Sequence, residues 1–251
     1  MQRTASLLNH TTACRKIYLT PNKKAPPEGK ILKNNDYAAT LREIAKNGSK
    51  SFYKGSISEL IVKEIKMNNG FLSKSDLENY AAIWRKPAHD LFQGLKVMTV
   101  PNPSSGALVF EGLKSLSKNQ NIRSPHELLA QSMLKMFAKR RQNSGDPDFR
   151  MSPGRIESPE TSSLCTMDTN GNAVCLTYSN NNHSGVVIPE TGILMNNQMA
   201  LFSPWPNNPN QVSGGKRPVS SMMPSILFKD GKAKLMIGAS GSTRIPTSLM
   251  Q

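Results

Sequence analysis

The stretch that decides the fold is TSSLCTMDTNGNAV, residues 161–174, because it joins two runs of strand character through a tight turn. Leu164 to Met167 precede the turn Asp168-Thr-Asn-Gly171, and Ala173 to Tyr178 follow it. An Asn-Gly turn between such runs is typical of a β-hairpin. A second hairpin is predicted around Lys229-Asp-Gly231. The C-terminal part of the chain is therefore expected to form a twisted sheet.

The chain before this region, residues 36–150, has mainly helical patterns. Asp36 is the predicted N-cap of a helix that stops at Gly48, and a second helix follows Ser56. The clearest helix start is Ser124, with Pro125 at the first helical position and Glu127 in the place of a capping box. Leu95 to Val100 is the predicted strand of this part, and the turn at 101–106 leads from it into another helix.

Length and composition predict an ordinary packed protein. The chain has 251 residues, 37% of them hydrophobic and 20% charged, so one globular unit is expected. The formal net charge of +15 raises nucleic acid or an anionic membrane surface as a partner. The basic residues form short clusters at 23–24, 85–86 and 139–141 without interleaved aromatic residues, which favours a solvated surface. No nucleic-acid partner is expected.

The cysteines do not indicate a metal site or a disulfide framework. Cys14, Cys165 and Cys175 are too few and too scattered for four metal ligands, and neither a metal nor a cofactor is expected. We expect Cys165 and Cys175 to be small core residues on neighbouring strands. No apolar run approaches the about 20 residues of a membrane span, and the first residues lack the pattern of a signal peptide.

Several hydroxyl-bearing residues are candidates for chemistry. Thr161 stands where a polar connection, residues 145–159, meets the first strand of the predicted sheet. A threonine becomes a good nucleophile when cleavage makes it N-terminal, because its own amine then acts as the base. Cleavage between Glu160 and Thr161 makes Thr161 N-terminal. The ordinary interpretation of such a threonine is a plain loop hydroxyl without a catalytic role. Ser220 and Ser221 either donate hydrogen bonds to an oxyanion or form a simple turn.

These fragments resemble one known family in their order. The γ-glutamyltransferase (glutathione hydrolase) family has a nucleophile strand of the form Thr-Thr-His-x-Ser-Val-Val-Asp-x-x-Gly-Asn-Ala-Val, and residues 161–174 are similar to it. The similarity continues in 177–199, 215–232 and 237–245, and in the upstream segments 52–55, 69–80, 101–106 and 145–149.

The resemblance implies a fold and an activity. The fold is the α/β (α+β) sandwich of N-terminal-nucleophile hydrolases, with an αββα layering that is incomplete at both ends. Residues 1–160 correspond to the C-terminal part of the large subunit, and 161–251 to a truncated small catalytic subunit. The substrates implied are glutathione and other γ-glutamyl compounds, with water, amino acids or peptides as acceptors, and the product of self-processing is a heterodimer. The plasma membrane or the extracellular space is the implied location.

The resemblance also implies roles for individual residues. Thr161 is both the cleavage site, with Glu160, and the nucleophile, and Ser179 takes the place of a threonine that hydrogen-bonds it. The glutamyl group is held by Asn181, Gln198, Ser220 and Ser221. Gly241 and its neighbour Ser242 lie in the loop that forms the oxyanion site.

Some positions depart from the family pattern. Ala200-Leu201 replace an acidic pair that binds the α-ammonium group of the substrate, Ser163 replaces a histidine, and Ser242 replaces a glycine. The connector before Thr161 is short, and the arginine that binds the substrate carboxylate has no counterpart. These departures support an alternative function, an inactive truncated relative that acts as a binding or decoy subunit.

Overall fold

The structure is a computed structural model that describes residues 5–118, 124–143, 146 and 160–251, with residues 140–143 and 160 described by their backbone alone. Its helices are α1 (Ala5–Leu8), α2 (Thr12–Tyr18), α3 (Asn35–Asn47), α4 (Ser49–Tyr53), α5 (Ser56–Met67), α6 (Lys74–Glu78), α7 (Gly106–Lys118), α8 (Pro125–Asn143) and α9 (Arg244–Met250). Its strands are β1 (Ala88–Phe92), β2 (Leu95–Thr99), β3 (Glu160–Met167), β4 (Ala173–Asn181), β5 (Val187–Ile188), β6 (Ile193–Leu194), β7 (Ser225–Lys229) and β8 (Lys232–Ile237).

The chain divides into two compact units where the sequence predicts one. The first comprises residues 1–83 and 183–196, and the second comprises 84–182 and 197–251. This division differs from the predicted boundary after residue 160, because the short hairpin β5–β6 returns to the N-terminal helices and takes its contacts there. The correspondence of 1–160 and 161–251 with two subunits stays a prediction.

The first unit is built around helix α5. Its buried face carries Ile57 and Ile61, which form a core cluster with Ile188 of β5. Helix α3 begins after Asn34, whose side chain accepts a hydrogen bond from the backbone N–H of Tyr37. The predicted cap at Asp36 is therefore wrong by two residues. The Nδ2 group of Asn34 also donates to the carbonyl of Gly192, 2.9 Å away, and this distant contact has no local sequence signal.

The second unit contains an antiparallel sheet in the order β1-β2-β7-β8. Val97, Leu227 and Leu235 are register partners across its three last strands. Val97 and Leu227 belong to the main hydrophobic core, together with buried residues of α7, α8 and α9. One face of the sheet is thus covered by helices, which is the usual way to bury a half-apolar sheet.

The hairpin β3–β4 packs near the end of β8, within the same unit. Its register pairs Thr161 with Ser179, Ser163 with Thr177, and Cys165 with Cys175. Because side chains alternate along a strand, these three pairs lie on one face of the hairpin. Cys165 and Cys175 do lie on neighbouring strands, as predicted. The expected core location is wrong, since Cys165 is exposed and Cys175 only partly buried.

The structure contains most of the predicted turns and helix starts, but it also contains a strand that the sequence did not predict. Both hairpin turns and the start of α8 at Pro125 are confirmed, and α5 begins at Ser56, one residue earlier than predicted. Strand β1 was not predicted, because its edge position leaves a pattern of partly and fully exposed residues. The connection 145–159 lies outside the described residues apart from Asp146. Among the described residues, no helix is long and apolar enough to cross a membrane.

Candidate active site

Thr161 lies at the start of β3, one residue inside the strand. Its Oγ1 donates a hydrogen bond to Oγ of Ser179, 3.1 Å away on the paired strand. The register of the hairpin shifts between Glu160 and Thr161, where β4 has an extra residue. Such irregularities bend a strand and re-aim its side chains, and they are frequent next to active sites. The irregularity thus falls on the peptide bond that the sequence predicts to be cleaved.

Asn181 ends β4 beside this pair, and its side chain is buried. Its backbone N–H donates to Ser179 Oγ at 3.0 Å, and its Nδ2 donates to the carbonyl of Asn197 at 2.7 Å. The residue adopts a left-handed conformation, with φ 60°, which asparagine tolerates better than most residues. Its Oδ1 is buried without a hydrogen-bond partner among the described residues, which is uncommon for a buried polar atom.

Gln198 approaches the same strand from the 3-10 helix Gln198–Leu201. Its Nε2 donates to the backbone carbonyl of Ser179 at 2.8 Å. Ser179 is therefore contacted through its hydroxyl by Thr161 and Asn181, and through its carbonyl by Gln198. These contacts hold the Ser179 hydroxyl in one place relative to Thr161.

Ser220 and Ser221 are held by the loop that precedes α7. The backbone N–H of Ser220 donates to the carbonyl of Pro103 at 3.0 Å, and Ser105 Oγ donates to the carbonyl of Ser220 at 2.7 Å. Oγ of Ser220 in turn accepts from the N–H of Met222 at 3.1 Å. The predicted turn at 101–106 is therefore both the start of α7 and a support for the serine pair.

These residues line one small, open cavity. Hydroxyl and amide groups come from Thr161, Ser179, Asn181, Gln198, Ser220, Ser221 and Ser242. We call Thr161, Ser179 and Asn181 the nucleophile wall. Apolar side chains come from Leu201, Val219, Met222 and Ile245, which we call the apolar wall. The charged residues of the described chain are not among those that line the cavity.

Asn210 connects two segments that carry the apolar wall. It is fully buried, its Nδ2 donates to the carbonyl of Leu201 at 2.6 Å, and its Oδ1 accepts from the N–H of Val219 at 2.9 Å. One side chain thus satisfies a backbone acceptor and a backbone donor that are 18 residues apart in sequence, counting from 201 to 219. The bonds fix the spacing between the 3-10 helix and the serine pair.

A buried carboxylate supports the segment before the serine pair. The Asp146 side chain is inaccessible to solvent and forms an ion pair with Arg85, with Nη2 to Oδ1 at 3.5 Å. Its Oδ2 accepts from the backbone N–H of Arg217 at 2.8 Å. An aspartate of the 145–149 segment therefore reaches the segment that leads to Ser220.

The predicted oxyanion loop is only partly in the cavity. Ser242 lines it, whereas Gly241 is not among the lining residues. Gly241 and Ser242 have φ angles of 119° and 62°, and the second is a left-handed conformation that favours the glycine of the family pattern. At Gly238, an added Cβ would collide with Oγ of Ser163, so glycine is required where this loop passes the hairpin.

The structure brings most of the predicted site residues together. Thr161, Ser179, Asn181, Gln198, Ser220, Ser221 and Ser242 share the cavity, while their catalytic and binding roles stay predictions. For Glu160 only the backbone is described. Sequence reasoning missed Asn210 and the supporting Ser105, because a buried asparagine in an Asn- and Pro-rich loop has the same local pattern as an exposed one.

Solved structures with the same fold identify the class of protein. The cephalosporin acylase from Bacillus halodurans matches with a TM-score of 0.86 at 25% identity, over 99% of this chain and 52% of that one. The γ-glutamyltranspeptidase of Helicobacter pylori matches with a TM-score of 0.52 at 29% identity, over 61% of this chain and 48% of that one. The fold is therefore that of the N-terminal-nucleophile hydrolases.

The family follows from the sequence match. The chain belongs to the Gamma-glutamyltranspeptidase family, whose model matches residues 1–158 and 150–251. A curated relative, the glutathione hydrolase proenzyme of Escherichia coli, is 33% identical, and the match covers 89% of this chain and 49% of the relative. The chain spans about half the length of the curated relatives it matches.

Proposed function

We propose that this chain carries the nucleophile of a γ-glutamyl transfer reaction. In this proposal Thr161, once released as an N-terminal residue, takes the γ-glutamyl group from glutathione or its conjugates and passes it to water or to an acceptor amine. The observation that carries the proposal is the hydrogen bond from Thr161 Oγ1 to Ser179 Oγ in a cavity lined by hydroxyl and amide groups.

The first step of the proposal is self-cleavage. Thr161 Oγ1 attacks the carbonyl carbon of Glu160, and the peptide bond to the Thr161 nitrogen breaks, which leaves an ester. Water hydrolyses that ester to the Glu160 carboxylate and the free Thr161 hydroxyl. The products are a fragment that ends at Glu160 and one that begins at Thr161, and they remain together as a heterodimer. The shifted strand register at this bond supports the step.

The second step is acyl transfer. The free amine of Thr161 accepts the hydroxyl proton while Oγ1 attacks the γ-carbonyl carbon of the donor. The negative charge that develops on the carbonyl oxygen is stabilised by fixed donors, for which Ser242 and the backbone at Gly241 are the candidates. The amine of the substrate's leaving group departs with that proton, which leaves the γ-glutamyl group as an ester on Thr161. Water or an acceptor amine then attacks this ester.

The cavity supports binding of the donor in a specific way. The buried Oδ1 of Asn181 has no hydrogen-bond partner among the described residues. In this proposal an N–H group of the bound γ-glutamyl compound donates a hydrogen bond to it. Gln198 and the serine pair supply further polar groups around the same space. Because these groups are neutral, recognition of the glutamyl α-ammonium rests on hydrogen bonds rather than on an ion pair.

The test is the intact mass of the purified chain, followed by turnover of γ-glutamyl-p-nitroanilide. We expect fragments that end at Glu160 and begin at Thr161, and hydrolysis that depends on the cut. Thr161→Ala removes the nucleophile, and loss of a nucleophile lowers turnover by roughly 10⁶-fold in a well-studied hydrolase. Thr161→Ser is the matched control, because it keeps the hydroxyl. Cleavage or turnover that persists in Thr161→Ala overturns the proposal.

One observation favours the second candidate function, a binding or decoy subunit. Leu201, which stands in the position of the family's acidic pair, is part of the cavity wall. Under this alternative the chain stays uncut and binds γ-glutamyl compounds without turnover. Isothermal titration of the uncut chain with glutathione separates the two functions, because only the decoy combines binding with an intact Glu160–Thr161 bond.

The location is part of the same proposal. We propose, from the family resemblance alone, that the protein lies at the plasma membrane or outside the cell. Fractionation of cells that produce the protein, with detection of both fragments, tests this placement. Recovery of the whole protein in the cytosolic fraction contradicts it without bearing on the chemistry.

A further inference from the structure

Two cysteines face each other across the hairpin that carries Thr161. Cys165 of β3 is the register partner of Cys175 of β4. At the turn, the N–H of Asp168 donates to the carbonyl of Asn172. Asp168 and Asn172 are therefore a hydrogen-bonded pair of the ladder. Because hydrogen-bonded and non-hydrogen-bonded pairs alternate in an antiparallel ladder, the cysteine pair, three steps away, is a non-hydrogen-bonded one. In such pairs the Cα atoms lie about 4.5 Å apart and the side chains approach each other closely.

This geometry is within the range of a disulfide, although the two residues are free thiols here. A disulfide needs Cα atoms about 4.4 to 6.8 Å apart. The two Sγ atoms lie 3.0 Å apart, compared with about 2.05 Å in the bond. Closing it therefore requires a small side-chain movement and no change of strand register.

The surroundings of the two thiols differ. Cys165 is exposed, while Cys175 is partly buried and its Sγ contacts the carbonyl oxygen of Ile237 at 3.2 Å. Burial, and then the contact with Cys165, raises the pKa of the Cys175 thiol to about 12. The exposed thiol is thus the one that an oxidant in solution reaches first. The remaining cysteine, Cys14, is buried in the other unit, and burial raises its pKa to about 11.

We propose that Cys165 and Cys175 are a reversible redox site, which closes to a cross-strand disulfide by exchange with a small-molecule disulfide. The Cys165 thiolate attacks one sulfur of the oxidant, forms a mixed disulfide and releases the first thiol. Cys175 then loses its proton and attacks Sγ of Cys165, which releases the second thiol. Two protein thiols are oxidised, and one disulfide molecule is reduced to two thiols.

The disulfide would join the same two strands that carry the nucleophile wall. Cys165 and Cys175 lie on the same face of the hairpin as Thr161 and Ser179, four register pairs further along. The bond joins the two strands that hold the Thr161–Ser179 hydrogen bond, so it prevents their separation during local opening. The site itself is independent of the proposed threonine chemistry.

The experiment uses the full chain, first reduced with a small thiol and then incubated with oxidised glutathione as the probe. We expect the mass to fall by two hydrogen atoms, titratable thiols to fall from three to one, and peptide mapping to join Cys165 to Cys175. A small thiol then restores the starting mass. The thermal midpoint of the closed form is expected to exceed that of the reduced form by several degrees, because the cross-link limits the unfolded chain.

Single substitutions make the result specific. Cys165→Ser introduces the residue that the family pattern has at this position, and Cys14→Ser is the matched control in the other unit. We expect Cys165→Ser to leave Cys175 as a thiol, Cys175→Ser to stop at the mixed disulfide on Cys165, and Cys14→Ser to close as the parent does. A parent chain that remains a mixed disulfide, stays fully reduced, or pairs through Cys14 overturns the proposal, whether or not Thr161 is active.

Discussion

The nucleophile wall and the apolar wall of the cavity differ in how far they follow the family pattern. Thr161, Ser179 and Asn181 form a connected set of hydrogen bonds on adjacent strands, and each keeps a side chain suited to its predicted role. On the apolar wall, Leu201 replaces a carboxylate and Ile245 and Val219 add further apolar surface. The difference teaches that the predicted nucleophile and the replaced acidic position lie on separate segments, the strand β3 and the 3-10 helix, so each can change without the other.

The largest effect on stability is expected from Asn210→Ala, which breaks the connection between the apolar wall and the serine pair. It leaves the carbonyl of Leu201 and the N–H of Val219 buried without partners. At about 1 to 3 kcal/mol for each unsatisfied group, the free energy of unfolding falls by about 2 to 6 kcal/mol. The midpoint of urea unfolding measures it. Val212→Ala, at an exposed position of the same loop, is the control and is expected to leave the midpoint unchanged.

The apolar wall itself is tested by Leu201→Asp, which places a carboxylate in the cavity lining. If the wall decides donor selection, the preference for γ-glutamyl-p-nitroanilide over glutaryl-p-nitroanilide, which lacks the ammonium group, increases by about 1.5 to 3 kcal/mol. Ala200→Asp adds the same charge at a residue outside the lining, so its selectivity should stay close to that of the parent. Equal selectivity of the two variants would show that Leu201 does not contact the donor.

Ser179→Ala tests the nucleophile wall with a smaller expected effect. The substitution removes the acceptor of Thr161 Oγ1 and of the Asn181 N–H. A hydrogen bond of this kind is worth about 1 kcal/mol, or roughly a fivefold change in rate. The rates of cleavage and of γ-glutamyl-p-nitroanilide hydrolysis should fall together. Ser179→Thr keeps the hydroxyl and is expected to preserve both, and an unaffected Ser179→Ala would remove this residue from the mechanism.

The smallest expected effect is the pH dependence of the hairpin turn. Asp168 accepts hydrogen bonds from the Asn172 side chain and from the backbone N–H groups of Asn172 and Asn170. These bonds, with the Asn172 side chain first, hold the pKa of Asp168 below its ordinary value of 3.8. A lowered pKa in the folded state means that the stabilisation is complete above 3.8 and is lost as pH falls through the lower value.

Urea midpoints measured from neutral pH to below 3.8 test this dependence. Asp168→Asn should lose the part of the acid sensitivity that belongs to the turn. Because the carboxylate is fully exposed, solvent screens the interaction and the change should be slight. An identical pH profile in the parent and the variant would assign the acid sensitivity to other carboxylates.

Much of the second unit could be predicted from local signals. The turn residues 168–171 and 229–231 fix two hairpins, because only a few residue types adopt their backbone angles. Pro125, at the first position of α8, sets the start of that helix for a similar local reason. Strand β1 and the hairpin β5–β6 escaped prediction, since short strands carry little pattern and owe their pairing to distant partners.

The sequence by itself determined the family, because a threonine after a polar connection and the ordered blocks that follow it resemble one family without coordinates. Only the tertiary structure decided which residues share the cavity, that Leu201 is part of its wall, and that Asn210 joins segments on either side. It also decided that Cys165 and Cys175 meet on an accessible face of their hairpin. Contacts of this kind depend on strand register and on packing between residues far apart in the chain, and a local pattern of residue types does not record them.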